Sequence, residues 1–327
     1  MIAISRRTLP AVLLAGLCLS SPALAQSSYP NQPIKLIVPY APGGVPDTSA
    51  RMLARKLQER VGQPVVVENR AGGNGGVAAG AIITAPADGY TLLVVDTTLL
   101  SVSPLFVSQL SYDPQKDFIP ISALARTPLF LAVNADTTIK TLAEFVAYAK
   151  ANPGQLNYGS AGIGSTHHLT MEAMKAALNL SITHVPYRGT SQAVPALLGN
   201  HVQVLWASYP NLKAGVESSK IRLLANNGLG RSPLLPELPP LADIIPAFDL
   251  VSVIGVYGRA GMPDPIVRKI ADEARAIMRD PEMASALVPL GMEPVGEGPE
   301  AFAKMIAQEV DTIAKVVESA GLKPKGQ

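Results

Sequence analysis

Two serines, a threonine and two histidines crowd one short stretch, Gly159-Ser160-Ala161-Gly162-Ile163-Gly164-Ser165-Thr166-His167-His168. Hydroxyls beside an imidazole admit two chemistries. One is nucleophilic attack, with His168 as base for Ser160 or Ser165; the other is polar recognition of a bound anion. The nucleophile template fits poorly, because Tyr158 occupies the first glycine position of a G-x-S-x-G elbow. Metal templates fit no better. There is no H-E-x-x-H, and neighbours on a helix such as His167 and His168 point about 100° apart. His184 and His201 sit beside strands with no carboxylate at metal spacing. Binding uses the same residues more economically. A small carboxylate needs several donors converging in a mostly neutral cleft. Ser160, Ser165 and Thr166 offer hydroxyls, Gly159, Gly162 and Gly164 offer bare amides, and His168 can donate or accept.

A second stretch repeats this logic near the start of the chain. Ile34 to Val38 reads as a buried strand, and Pro42-Gly43-Gly44-Val45-Pro46 as a loop. A helix follows, with Ala50, Leu53, Ala54, Leu57 and Val61 on one face and Gly62 as its stop. Asp47, Thr48 and Ser49 are all able to cap its start. Amides converging on a positive helix end favour an anion, so Pro42, Gly43 and Gly44 are expected to form half of a carboxylate site. Asp47 is expected to cap the helix or to receive an amino or hydroxyl group of the ligand. A third version is Ile182 to Val185 followed by Pro186-Tyr187-Arg188-Gly189, where Arg188, or Tyr187 through its hydroxyl, closes over the ligand. Thr97 and Ser208 stand at the carboxyl ends of strands, where open α/β sheets bind ligands.

The elements that must position these residues alternate between helix and strand, which predicts an α/β fold. Strands are expected at Val65–Glu68, Thr91–Val95, Leu129–Val133, Val202–Ala207 and Leu250–Tyr257. Thr141 and Glu144 form a capping box ahead of an apolar stripe. Residues 114–128 read as a connector, and 226–247 as a Pro- and Leu-rich surface excursion. Helices are expected after Pro263 and around Phe302 to Val317.

With 48% apolar and 16% charged residues, the 327-residue chain is not disordered. Residues 1–25 read as a signal peptide: Arg6-Arg7, an apolar run from Leu9 to Leu19, then Ala23-Leu24-Ala25 as the cleavage site. Cleavage after Ala25 removes Cys18, the sole cysteine, and with Arg6 and Arg7 the whole +2 formal charge. A neutral mature chain gives no electrostatic case for nucleic acid. No later apolar run approaches the roughly 18 residues of a membrane span.

These motifs together resemble the Bug-type solute receptors of tripartite tricarboxylate transport systems, over essentially the whole mature chain. The carriers are Tyr29-Pro30, Y-A-P-G-G-V-P-D at 40–47, V-E-N-R-A-G-G-N-G-G at 67–76, A-D-G-Y-T-L-L at 87–93, G-S-A-G-I-G-S-T-H-H-L at 159–169 and V-P-Y-R-G at 185–189. The resemblance implies a two-lobed type II periplasmic binding protein fold with a ligand cleft between the lobes. Lobe 1 would take residues 26–126 and 251–327, and lobe 2 residues 127–250. It implies a periplasmic, monomeric receptor, not an enzyme, with no cofactor and no metal. Such a receptor captures an amino acid, a di- or tricarboxylate or an aromatic acid and delivers it to a membrane permease. In the family, waters and backbone amides of the first loop hold one carboxylate. Pro42, Gly43, Gly44 and Asp47 match that loop, Gly159, Ser160, Gly164, Ser165 and His168 match the second-lobe loop, and Tyr187, Arg188 and Gly189 match the later turn. Val45-Pro46 replaces the usual Gly-Thr, Gln203 a frequent aspartate, and Ile254 lies near a frequent tryptophan, which leaves the ligand's identity open. The competing expectation is an exported hydrolase on the same fold, pairing Ser160 or Ser165 with His168. A cytoplasmic regulator would carry a DNA-binding helix-turn-helix in place of the leader.

Overall fold

Two sheets account for every strand pairing among the described residues. The computed structural model describes residues 29–107, 109–319 and 321–322, so the expected signal peptide lies outside the described residues. The first sheet contains β1 (Ile34–Val38), β2 (Val65–Asn69), β3 (Thr91–Asp96), β4 (Phe118–Thr127), β10 (Ser252–Arg259) and β11 (Glu293–Glu297), in the order β11-β4-β10-β3-β1-β2. The second contains β5 (Leu129–Asn134), β6 (Asn157–Ser160), β7 (Thr183–Pro186), β8 (Val204–Ser208) and β9 (Ile221–Asn226), in the order β7-β6-β8-β5-β9.

The near-continuous apolar runs of β1 and β3 follow from burial on both faces. On one face Leu36, Val38, Leu92 and Val94 meet Leu53 and Leu57 of α1 (Val45–Val61) and Val267, Ile270 and Ala274 of α8 (Asp264–Met278). On the other, Ile37, Leu93 and Val95 meet Ile82 of α2 (Gly76–Thr84), Leu100 of α3 (Thr97–Phe106) and Phe302 of α10 (Pro299–Ser319). Gly255 in β10 makes room for that ring: a Cβ there would lie 2.0 Å from Phe302 Cζ.

In the second sheet Leu131, Tyr158 and Trp206 face α4 (Leu142–Ala151) and α5 (Thr166–Leu178). Phe130, Leu205 and Ala207 face α6 (Thr190–Leu198) and α7 (Tyr209–Glu217). Helix α10 belongs to both halves. It starts over the first sheet at Phe302 and ends with Ile313, Val316 and Val317 in the core of the second, beside α5. Val102 of α3 enters that same core.

Several elements differ from the sequence reading. Helix α1 starts at Val45 with Gly44 as its cap, so Asp47 lies inside the first turn. The expected connector 114–128 contains β4, paired on both sides. Pro120 hid it, because proline donates nothing to a ladder; here it faces Tyr257 beside a register irregularity. Strands β9 and β11 and helices α3 and α7 also went unread. The capping box at Thr141 is present, with Glu144 N–H donating to its hydroxyl at 3.1 Å.

The chain passes between the sheets twice. Strand β4 ends at Thr127 and β5 begins at Leu129, with only Pro128 between them; the return runs from Asn226 to Ser252. Asn227, fully buried, ties the two passages together. It accepts the Leu129 N–H on Oδ1 at 2.8 Å and donates from Nδ2 to the Leu250 carbonyl at 2.8 Å. Arg126 pairs with Asp249 at 2.6 Å across the same passages.

Candidate functional site

The one-residue crossing at Pro128 decides which edges face each other. Strand β10 runs antiparallel to both β3 and β4, so β4 shares the direction of β1 and β3 and their carboxyl ends lie on one edge. Strand β5 runs antiparallel to β8, which is parallel to β6 and through it to β7, so β5 starts where β6, β7 and β8 end. The carboxyl edge of the first sheet therefore adjoins the carboxyl edge of the second. Helices α1, α3, α5, α6 and α7 all begin along these two edges. Helix starts carry unsatisfied amides and partial positive charge, so the gap between the edges is suited to an anion.

The first loop is exposed from Ala41 to Gly44 and is held from beneath. Asp47 is 2% exposed. Its Oδ2 accepts the Gly43 N–H at 2.8 Å and Arg51 Nε at 3.0 Å, and its Oδ1 accepts Asn69 Nδ2 at 2.8 Å. The same Asn69 amide reaches the Tyr40 carbonyl at 3.0 Å. Burial pushes the Asp47 pKa up, but the bonds from Arg51, Gly43 and Asn69 outweigh it and hold the carboxyl below its ordinary value. Asp47 thus shapes the loop, and its oxygens are taken. Gly43 has φ +90°, a left-handed conformation that suits glycine, whereas Gly44 is extended and has ordinary van der Waals room for a Cβ, 3.9 Å from the Ala41 carbonyl oxygen and Pro46 Cδ. Pro42 is exposed beside them. The Tyr40 hydroxyl donates to Asp96, the α3 cap, whose other oxygen accepts the Leu99 N–H at 3.0 Å.

Thr97 departs from its expected place. It is fully buried, and its hydroxyl accepts the Val253 N–H at 3.1 Å, so it pins α3 to β10 and offers nothing to the cleft. Thr98 beside it bonds Ser252 Oγ at 2.9 Å and Glu309 Oε1 at 3.0 Å. Burial raises Glu309 to about 7, against the opposing pull of those threonine hydroxyls.

In the second loop Ser165 caps α5: its Oγ accepts the His168 N–H at 3.3 Å and donates to the Gly162 carbonyl at 2.7 Å. Thr166 opens the helix, half-buried. Gly164, at φ +80°, lies against the Phe106 ring from α3; a Cβ there would sit 3.3 Å from the ring. Gly159 leaves room for the Tyr187 ring, 3.4 Å from the position of a Cβ. Tyr187 N–H donates to the Ser160 carbonyl at 3.1 Å, and Gly189 caps α6. Arg188 is exposed, with its backbone N–H held by Gln192 Oε1 at 3.2 Å. Ser208 caps α7 by position, and its Oγ accepts Asn211 Nδ2 at 2.9 Å.

The hydroxyl–imidazole pair expected with His168 is made differently. Ser160 Oγ lies 2.7 Å from Nε2 of His184, while His168 Nδ1 accepts the Gly164 N–H at 3.2 Å. The arrangement is ill suited to a nucleophile. Ser160 is 1% exposed. Burial, and then the neighbouring His168, lowers His184 to about 4, far from the pKa near 7 of an effective general base. Glu172, the nearby acid, is taken by the Tyr158 hydroxyl at 2.5 Å and by Lys175 at 2.6 Å. Sequence reasoning missed His184, Asn69, Phe106 and Asn227. His184 reads in sequence only as a histidine beside a strand, and nothing local ties the others to either loop.

Comparison with known proteins agrees with this architecture. A family model described as the tripartite tricarboxylate transporter family receptor matches residues 49–322. BugT of Bordetella pertussis is 32% identical over 316 residues, covering 96% of this chain and 97% of BugT. Rpa4515 of R. palustris, solved with adipate, superposes with a TM-score of 0.79 at 32% identity, over 90% of this chain and 99% of that one. MatC (Rpa3494) from Rhodopseudomonas palustris, solved with bound malate, gives a TM-score of 0.72 at 27% identity, over 88% of this chain and all (100%) of that one.

Proposed function

The chain belongs to the tripartite tricarboxylate transporter receptor family, and from that premise we propose that it captures a small organic carboxylate between its lobes and passes it to a membrane permease. The observation that carries this reading is the adjacency of the two carboxyl strand edges, each bearing helix starts, on a two-lobed periplasmic binding protein fold. Amides of Gly44 and Thr166, hydroxyls of Thr166, Tyr187 and Ser208, and the exposed Arg188 guanidinium supply the donors. Pro42 and Gly43 shape the first mouth, and Gly159, Ser160, Gly164, His168 and Gly189 shape the second.

Relatives solved with adipate and malate support a small dicarboxylate in preference to a larger acid. The lobes, 26–126 with 251–327 and 127–250, would close by turning about the passages at Pro128 and Asn227, gaining ligand contacts from both sides only when shut. The leader read in residues 1–25 supports export to the periplasm.

A thermal-shift screen of the mature protein with adipate, malate, citrate, aspartate and benzoate tests this. At a hundredfold excess over Kd a true ligand adds about 2.7 kcal/mol to stability. A flat response to every acid, alongside turnover of an ester or amide, would remove the receptor reading.

A further inference from the structure

The polar centre of the second lobe contains a stack that no ligand contact requires. His168 of α5 and His184 of β7 have ring centroids 4.3 Å apart, and the Tyr158 ring continues the stack 4.6 Å from His184. His168 holds one amide of the loop between β6 and α5 directly, and His184 backs a second through Ser160. Gly164 N–H donates to His168 Nδ1 at 3.2 Å, which requires a lone pair on that nitrogen and so places the ring hydrogen of neutral His168 on Nε2. Gly162 N–H donates to Ser160 Oγ at 3.0 Å. The serine's own hydrogen has two acceptors in reach, His184 Nε2 at 2.7 Å and the Gly162 carbonyl at 3.3 Å. With the serine hydrogen on the shorter contact, His184 Nε2 is the acceptor and its ring hydrogen lies on Nδ1; the reverse tautomer would donate to Ser160 Oγ and leave the serine hydrogen to the Gly162 carbonyl. Gly162 (φ +120°) and Gly164 (φ +80°) are the loop's two left-handed residues, so the tethers act where the backbone is least constrained by its own sterics.

We propose that His184, together with His168, is a positioning residue: the stacked neutral imidazoles tether Gly162 and Gly164 so that the loop presents Ser165 and Thr166 to the ligand. This rests on the receptor reading above. Protonating His168 sets N–H against N–H and breaks the Gly164 tether. Protonating His184 reverses its bond to Ser160 and turns the serine hydrogen away. The charged and titratable groups facing the pair are Glu172 and Lys175 from α5 and Tyr158 from β6. Glu172 already serves Tyr158 and Lys175, and Lys175 lies 5.4 Å over the Tyr158 ring, so no free carboxylate supports an imidazolium here. Burial lowers the pKa of both histidines, in keeping with neutral rings.

The experiment has a ligand-free arm and a ligand arm. In the free protein at pH 7.5, imidazole 15N shifts should show the lone pair of His168 on Nδ1 and its hydrogen on Nε2; the opposite tautomer overturns the tether. In calorimetric titration with adipate, His168→Leu should weaken binding about tenfold, and His168→Gln, whose Oε1 can accept the Gly164 N–H, should restore most of that loss. His184→Phe keeps the stack but drops the acceptor, and should weaken binding about fivefold. As pH falls from 7.5 to 4, wild type should lose adipate affinity faster than His168→Gln. Comparing the two at each pH cancels the titration of adipate itself, and parallel curves overturn the proposal. Wild-type protein that binds none of the acids sinks the receptor reading alone, and the imidazole spectrum then decides the tether.

Discussion

The two loop mouths solve one problem with opposite chemistry. Each must keep a glycine-bearing turn in a single shape at the end of a strand. The first does so with an ionised carboxylate, Asp47, taking bonds from Gly43, Asn69 and Arg51 beneath an exposed loop. The second does so with neutral imidazoles and hydroxyls, of which Ser160 and His168 are buried and His184 half-buried. The first lock is therefore strong and insensitive to pH over most of the range, and the second is weaker and sensitive to mild acid. A receptor built this way has one fixed lip and one adjustable lip.

Removing Asp47 should break the comparison most forcefully. Asp47→Ala leaves the Gly43 and Asn69 donors without their acceptor and should cost about 2–4 kcal/mol in denaturant unfolding, with loss of carboxylate binding. A cost within 0.5 kcal/mol would show that the loop stands without its carboxylate. The pH sign follows from its lowered pKa. Its stabilisation is present above the ordinary value of 3.8 and is lost as pH falls below it, so Asp47→Asn should flatten that part of the acid-unfolding curve. The histidines act earlier. Their lowered pKa values mean stability present above the ordinary 6.5 and lost from there down towards about 4, the His184 value.

The adjacent glycines sharpen the contrast within one loop. Gly43→Val, forced to φ +90°, should destabilise by about 1–2 kcal/mol. Gly44→Val, at an extended position with room for a Cβ, should change stability by less than about 0.5 kcal/mol yet abolish carboxylate binding, because the new side chain fills the approach to the helix start. Unaltered binding by Gly44→Val would take that loop out of the site. The smallest effect belongs to Ser165→Ala, about 0.5–1.5 kcal/mol of stability from the lost cap. An affinity loss beyond that seen in stability would mean that the residue also touches the ligand.

How much was legible follows from how far each signal reaches along the chain. Strands β1 and β3 announce themselves because burial on both faces leaves near-continuous apolar runs, broken only by Lys35 in β1 and by Thr91 and Asp96 at the ends of β3. Strand β4 does not, since Pro120 and Ser122 interrupt it and its partners lie more than a hundred residues away. The glycine-rich mouths were visible locally, and so was Ser165 as a cap. Asp47's role was half visible: its acid at a helix start can be read, but Asn69, which completes the lock, lies on another strand. Thr97 was misplaced by the rule that strand ends face ligands, because β10 claims its hydroxyl first. The partner of Ser160 lies 24 residues ahead, where no periodicity connects it to the loop.

Helix α10 bears on how the protein can move. Because Ile313, Val316 and Val317 are sunk among second-lobe residues while Phe302 is sunk in the first, a clamshell gape would drag apolar surface into water at about 25 cal/mol per Å². Turning about Pro128 and Asn227 is therefore expected to keep both ends of α10 seated, which limits how far Arg188 and the Gly44 lip can part.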